Sequence, residues 1–324
     1  MKIHRLKESD LINKIKKEFS QKDLDIEVNI GDDSAVINFS GKRIFLTKDI
    51  LSEDIHFTLD FNPPYYLGRK CVAVNLSDLA AMGAKPRFAL LGLCLSPEID
   101  RKWVDEFLNG FRDICKEFKV NLIGGDISSS KKIFISVTLI GEGDKGIERN
   151  GAKPEDKIFV SGSLGNASYG LSLLKKGIRL GEHKKYDFFI KSFLDPKPKV
   201  ELGKKLREKG AVSAMIDISD GLSTDLFNLC EASNVGAVIY KDKLPVSENL
   251  LLEKTEEKYN YILHGGEDYE LLFTVSPQKE KEVINLSERI TYIGYITEKE
   301  RGIKIIDSKG KESTLKKEGY EHLI

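Results

Sequence analysis

Six short stretches set a carboxylate beside glycine or at the end of an apolar run: Gly31-Asp32-Asp33-Ser34, Thr47-Lys48-Asp49, Asn75-Leu76-Ser77-Asp78, Gly124-Gly125-Asp126, Asp217-Ile218-Ser219-Asp220-Gly221 and Gly265-Gly266-Glu267-Asp268. Glycine lets the backbone turn tightly and approach a ligand closely. Their potential ligands are oxygens, with no His or Cys among them. Such a set suits hard cations, above all Mg²⁺, which takes a few carboxylates, waters and phosphate oxygens. With phosphate substrates, such ions neutralise charge and hold the reacting oxygens in line. A solvated turn is the alternative for any single motif. Six together favour one metal-rich site.

Asp78 is the most exacting of these carboxylates. It falls on a helical stretch among Ala73, Val74, Leu76, Leu79, Ala80, Ala81 and Met82. A carboxylate so placed loses its hydration and must be paired, metal-bound or protonated. Asn75 shares its helical face three residues away. Arg149 is the basic residue to add, because its fork can grip a phosphate; a surface arginine is the alternative. His56 is open to a substrate phosphate or to a structural role.

Nucleotide signatures of the common kinds are missing. No GxxxxGK-S/T occurs. Gly141-Glu-Gly-Asp-Lys-Gly146 is a literal GxGxxG, but Gly151 and Pro154 follow too soon for a helix, so it reads as linker.

Elements that must position the motifs follow from periodicity. Leu11, Ile12, Ile15 and Phe19 make a helical stripe with Ser9 as its cap. Asp33–Phe39 and Arg43–Asp49 read as strands joined at Gly41. Pro63 and Pro64 open a helix that runs to about Gly83. Arg87–Leu95 reads as a strand, and Trp103, Phe107, Phe111, Cys115 and Phe118 as the core face of a helix. Strands at Val120–Ile123 and Ile133–Ile140 flank a GGD turn. Gly141–Asp156, rich in glycine and charge, reads as a linker between domains 1–145 and 146–324. Beyond it come strand Lys157–Ser161, helix Asn166–Lys175, helices to about Lys209, strand Ala214–Ile218 and helix Ser223–Ala232. Strands at Ala237–Tyr240 and Tyr269–Val275 and a last strand pair, Thr291–Thr297 with Ile303–Asp307, complete the pattern. Mixed elements in both halves predict two α/β or α+β domains.

Composition bounds the class. The 324 residues suit about two domains. Lys plus Arg equals Asp plus Glu at 51 each, so no net field draws the chain to nucleic acid or an anionic membrane. Four scattered cysteines without a CxxC pair, a first segment unlike a signal peptide and the lack of a long apolar run predict a cytoplasmic protein with reduced thiols.

Taken together, GDDSAV, NLSDLAAMGAKP, IGGD, IDISDGLSTDL and GGEDYELLFT resemble the thiamine-monophosphate kinases, of the aminoimidazole ribonucleotide synthetase and selenophosphate synthetase superfamily. The resemblance runs from about Gly31 to Tyr320. It implies a two-domain synthetase-like fold, with N-terminal strands forming a barrel across a homodimer. The implied reaction is transfer of the ATP γ-phosphoryl group to thiamine monophosphate, giving thiamine diphosphate and ADP. Metal positions of the family fall on Asp33, Thr47, Asp49, Asp78, Asp126, Asp217 and Asp220, with Lys48 ligating through its backbone. Nucleotide positions fall on Gly125, Asp126, Arg149 and Ser219, and substrate positions on His56, Glu267 and Tyr320. Lys48 departs from the small polar residue expected beside Asp49, which a backbone ligand tolerates. No general base is implied, since a phosphate oxygen is already an anionic nucleophile.

Two other classes compete: a sister ATP-dependent enzyme of the superfamily, acting on an amidine, a carbamoyl group or selenide, and a non-catalytic protein. Selenide chemistry would want a reactive cysteine near the N-terminus, whereas the first here is Cys71, inside a helix. An amidine-cyclising enzyme would carry a different glycine and histidine pattern in place of GGEDYEL. A non-catalytic nucleotide-binding scaffold has no need of so many metal carboxylates.

Overall fold

Two sheets organise the chain, and a buried helix lies between them. The structure is a computed structural model that describes residues 12–13, 15–17, 25–255, 257–286 and 289–320. Ser9, Leu11 and Phe19 of the predicted N-terminal stripe lie outside the described residues, while Ile12 and Ile15 are helical. Sheet one contains β1 (Ile26–Val28), β2 (Ala35–Phe39), β3 (Lys42–Ser52), β4 (Lys85–Leu95), β5 (Asn121–Ser129) and β6 (Phe134–Gly143), in the order β1-β2-β3-β6-β4-β5. Its pairs are antiparallel except β4 with β5. Those two run parallel because a helix carries the chain back between them.

That connecting helix is α2 (Arg101–Glu117). Its Phe107, Phe111 and Cys115 are buried, and Trp103 stacks on Phe107. The other helix of this half is α1 (Pro64–Ala81), which carries Asp78. Proline at its first position costs nothing, since that N–H has no intrahelical partner. Apolar residues surround α1 on every side, so it is buried against α2, β3 and β6 and against the second half of the chain.

The second half holds β7 (Lys157–Ser161), α3 (Asn166–Lys175), α4 (Lys184–Leu194), α5 (Val200–Lys209), β8 (Val212–Ile218), α6 (Leu222–Ser233), β9 (Gly236–Tyr240), α7 (Glu248–Leu252), α8 (Lys258–His264), β10 (Glu270–Val275), α9 (Glu280–Ile284), β11 (Ile290–Thr297), β12 (Ile303–Ile306) and β13 (Glu312–Thr314). Its sheet runs β13-β12-β9-β11-β7-β10-β8, mostly antiparallel, with β12 parallel to β9. The fold is mixed α/β in two parts.

Two expectations need correction. The GGD of Gly124–Asp126 is not a turn: β5 runs straight through it, paired along its length with β4. Glycine tolerates extended backbone, and Leu91 O would sit 1.9 Å from a Cβ at Gly125, so close strand contact requires the glycine. The predicted last strand pair is not a pair either. β9 lies between β11 and β12, because the hydrophobic patterns of all three face the same core. Within one chain sheet one stays open, with β1 and β5 at its edges. No helix among the described residues is long and apolar enough to cross a membrane.

Candidate active site

β3 alternates its side chains, so Thr47 and Asp49 share one face and Lys48 takes the other. Thr47 Oγ1 donates to Asp78 Oδ2 on α1. Asp49 N donates to Asn75 Oδ1 at 3.2 Å, and Asn75 Nδ2 donates to Cys71 O, which pins β3 to α1. Lys48 Nζ instead donates to Ser136 Oγ at 2.7 Å on β6, so its side chain is directed away from this face. On the same turn of α1, Ser77 Oγ donates to Asp217 Oδ2 at 2.6 Å. Asp217 belongs to β8, so this bond ties the two halves together.

Asp33 arrives from the turn before β2. One oxygen from each of Asp33, Asp78 and Asp217 lies within 4.8 Å of the others. Asp49 and Asp220 line the same cavity as Asp78 and Asp217, which has a volume of about 740 Å³. Burial, and then the charges of Asp49, Asp217 and Asp33, push the Asp78 carboxyl well above the ordinary carboxylate range. Burial and Asp33 push Asp217 up to about 8, and burial and Asp220 push Asp49 up to about 6. Carboxylates this close do not all ionise without a counter-charge.

Arg149 supplies one such charge. Its Nη2 donates to Asp33 Oδ1, its backbone N donates to Asp32 Oδ2 at 3.1 Å, and its Nε lies 3.7 Å from Asp32 Oδ1. One cation among six carboxylates is too little. Asp33 Oδ2 is buried and has no hydrogen-bond partner among the described residues. An oxygen-only set with an orphaned carboxylate oxygen fits Mg²⁺.

The other wall of the cavity is built by three interlocked loops. Ser219 N, Asp220 N and Gly221 N all donate to Asp225 Oδ2, at 3.1 Å each, in the first turn of α6. Ser219 O accepts from Glu267 N at 2.8 Å, and Asp220 O accepts from Tyr320 N at 3.1 Å. Glu267 and Tyr320, 53 positions apart in the numbering, are thereby fixed on one turn. His56 lines the cavity too, with Nδ1 accepting from Ser52 N at 3.0 Å. Gly125 and Asp126 are not brought there by a single chain: they lie on the exposed edge strand β5.

Residues 31–142 match the AIR synthase related protein, N-terminal domain, and residues 153–307 match the AIR synthase related protein, C-terminal domain. A thiamine-monophosphate kinase of Buchnera aphidicola subsp. Schizaphis graminum is 39% identical, over 98% of this chain and 99% of its own length. That of Escherichia coli (strain K12) is 37% identical, over 92% of this chain and 93% of its own. The chain belongs to the thiamine-monophosphate kinase family. A solved structure in the same fold, AaThiL complexed with AMPPCP and TMP, is 34% identical with a TM-score of 0.87, over 98% of this chain and 97% of that one.

Sequence reasoning missed two residues that shape this cavity. Asp225 organises the Ser219–Gly221 turn; its signal was an acidic residue four positions after a glycine that opens a helix. Lys70 lines the cavity from α1 with its side chain 2% exposed and its Nζ 2.5 Å from Glu267 Oε2. Burial lowers its pKa, and Glu267 opposes that shift. Its signal was spacing: Lys70, Val74 and Asp78 recur every four residues, on one helical ridge.

Proposed function

We propose that the protein is a cytoplasmic, magnesium-dependent thiamine-monophosphate kinase that acts as a homodimer. One observation carries the chemistry: carboxylates from both sheets meet at a cavity that also presents His56, Glu267 and Tyr320. The acceptor of this reaction is itself a phosphate, so two polyanions meet. At about 4 Å, two unit charges repel by roughly 4 kcal/mol at an effective dielectric of 20. Mg²⁺, when bound, neutralises this charge and keeps the reacting oxygens in line. The residues assigned to hold it are Asp33, Thr47, Asp49, Asp78, Asp126, Asp217 and Asp220, with the Lys48 backbone.

The remaining steps belong to the chain. Gly125, Asp126, Arg149 and Ser219 hold the nucleotide. His56, Glu267 and Tyr320 hold thiamine monophosphate, with the Tyr320 ring against a ring of the substrate. An oxygen of the acceptor phosphate forms the new bond to the γ-phosphorus, the bond to the β–γ bridging oxygen breaks, and ADP leaves. No residue need remove a proton, so catalysis rests on positioning and electrostatics without a phosphoenzyme.

The domains are 1–145 and 146–324. The dimer reading is supported by β5, an edge strand exposed along its length, with Leu122, Ile123 and Ile127 at 48, 57 and 76% exposure. Long apolar edges invite pairing. A second copy along this edge closes the two open sheets into a barrel and takes Gly125 and Asp126 out of solvent. The test is incubation with MgATP and thiamine monophosphate and an assay for thiamine diphosphate and ADP. Absence of both products with magnesium present rejects the reading.

A further inference from the structure

Lys70 stands two helical turns before Asp78 on α1, at about 1.5 Å of rise per residue and so about 12 Å away along the axis. Both face the same cavity. The lysine is buried, and few lysines are unless something holds them. Its Nζ lies 3.5 Å from the centroid of the Phe193 ring and 2.5 Å from Glu267 Oε2. Among the described residues, neither Lys70 Nζ nor Glu267 Oε2 has a hydrogen bond elsewhere. Glu267 has a left-handed backbone, φ 73°, unusual for a residue with a side chain. The hydrogen bond that its backbone N–H donates to Ser219 O holds it there. Glu267 nevertheless keeps 27% of its side chain exposed. A carboxylate is therefore clamped through one oxygen and presented to the cavity beside Lys70, which stands two helical turns from Asp78.

We propose that Lys70 is a positioning and specificity residue: it fixes Glu267 so that the free carboxylate oxygen accepts a hydrogen bond from the amino group of the substrate's aminopyrimidine ring. The inference rests on the kinase reading above. That substrate carries its phosphate and its amino group at opposite ends. With the phosphate among the carboxylates, the ring reaches towards Lys70, Phe193 and Glu267. Phe193 offers an apolar face, and the held carboxylate offers an acceptor that a loose glutamate would present only part of the time. A site built to bond an N–H rejects an analogue with oxygen in its place, because acceptor then faces acceptor.

The experiment compares thiamine monophosphate with oxythiamine monophosphate, in which oxygen replaces the amino group. Wild-type protein is expected to prefer the amino substrate in kcat/KM by about 100-fold or more. Lys70→Met should cut that preference at least about tenfold and raise KM for thiamine monophosphate about tenfold, with kcat and KM for ATP within about threefold. Lys70→Arg should keep most of the preference. Lys70→Met combined with Glu267→Gln should lose no more than Glu267→Gln alone. Equal losses on both substrates, or on ATP, overturn the assignment. Should Lys70→Met fail to fold, Glu267→Gln decides: an unchanged preference overturns it. Calorimetric binding of both monophosphates with magnesium but no nucleotide separates the two questions. Discrimination in binding without turnover overturns the kinase reading alone. Turnover without discrimination overturns the role of Lys70 alone.

Discussion

Asp78 accepts a hydroxyl from Thr47 and faces Asp33 and Asp217 across less than 4.8 Å, so its charge and its shape have separate consequences. Asp78→Asn keeps the shape and removes one of several repelling charges. It is expected to fold, with a melting temperature at or above that of the metal-free parent. Its kcat should fall by about 100-fold or more at any ATP concentration, as when a group that stabilises transition-state charge is removed. Steady-state rates at saturating ATP check this, and a rate within threefold of the parent would take Asp78 out of the metal site. Tyr320 is half exposed and anchored through its backbone to Asp220 O. Stacking on a ring is worth roughly 1–3 kcal/mol. Tyr320→Ala should therefore raise KM for thiamine monophosphate about tenfold and leave KM for ATP within twofold. Equal rises for the two would place the ring outside the thiamine subsite.

At the scale of elements, the cavity depends on loops that fit without slack. A Cβ at Gly266 would lie 2.3 Å from Ser219 O and so force apart the turn that carries Asp220 and the loop that carries Glu267. Gly266→Ala is expected to cost about 1–3 kcal/mol in urea denaturation and to raise KM for both substrates. A variant with an unchanged midpoint would show that the loops move independently. Strand and helix positions were largely legible in the chain because local periodicity sets them: β7 and α3 coincide with the stretches predicted, and α1 ends within two residues of Gly83. What periodicity cannot carry is pairing over distance. The placement of β9 between β11 and β12 depends on which apolar faces meet. The extended Gly124–Asp126 depends on β4 beside it. At the site, Asp33 and Asp217 announced themselves as carboxylates beside glycine or at the end of an apolar run, and Asp78 as an acid in an apolar helix. Lys70 did not, because a lone lysine on a helix normally reaches solvent, and only Glu267, far along the chain, gives it a reason to stay inside.

At the scale of the whole molecule, folding assembles carboxylates from both sheets and raises their proton affinity. Asp49 and Asp217 titrate near 6 and near 8, above their ordinary values, so the folded state binds protons more tightly than the unfolded chain. This contribution to stability therefore falls as pH rises from the ordinary carboxylate range through about 8. Melting temperatures in chelator should drop between about pH 5 and pH 8. Magnesium should restore them, more at pH 8 than at pH 5. A magnesium effect of equal size at both ends would separate the ions from this cluster. The open edge carries its own expectation: the parent should sediment as a dimer, and Ile127→Lys should shift it towards monomer. A parent that is monomeric at micromolar concentration would remove the barrel. Lys70 and Asp78 finally bear on substrate length. With its other faces packed against α2, β3, β6 and the second half of the chain, α1 cannot stretch or bend to suit a guest, so it works as a fixed gauge about 12 Å long. An analogue with one extra methylene between its thiazolium ring and its phosphate should engage one mark on that gauge or the other, and make a poor substrate even though every contact group is present.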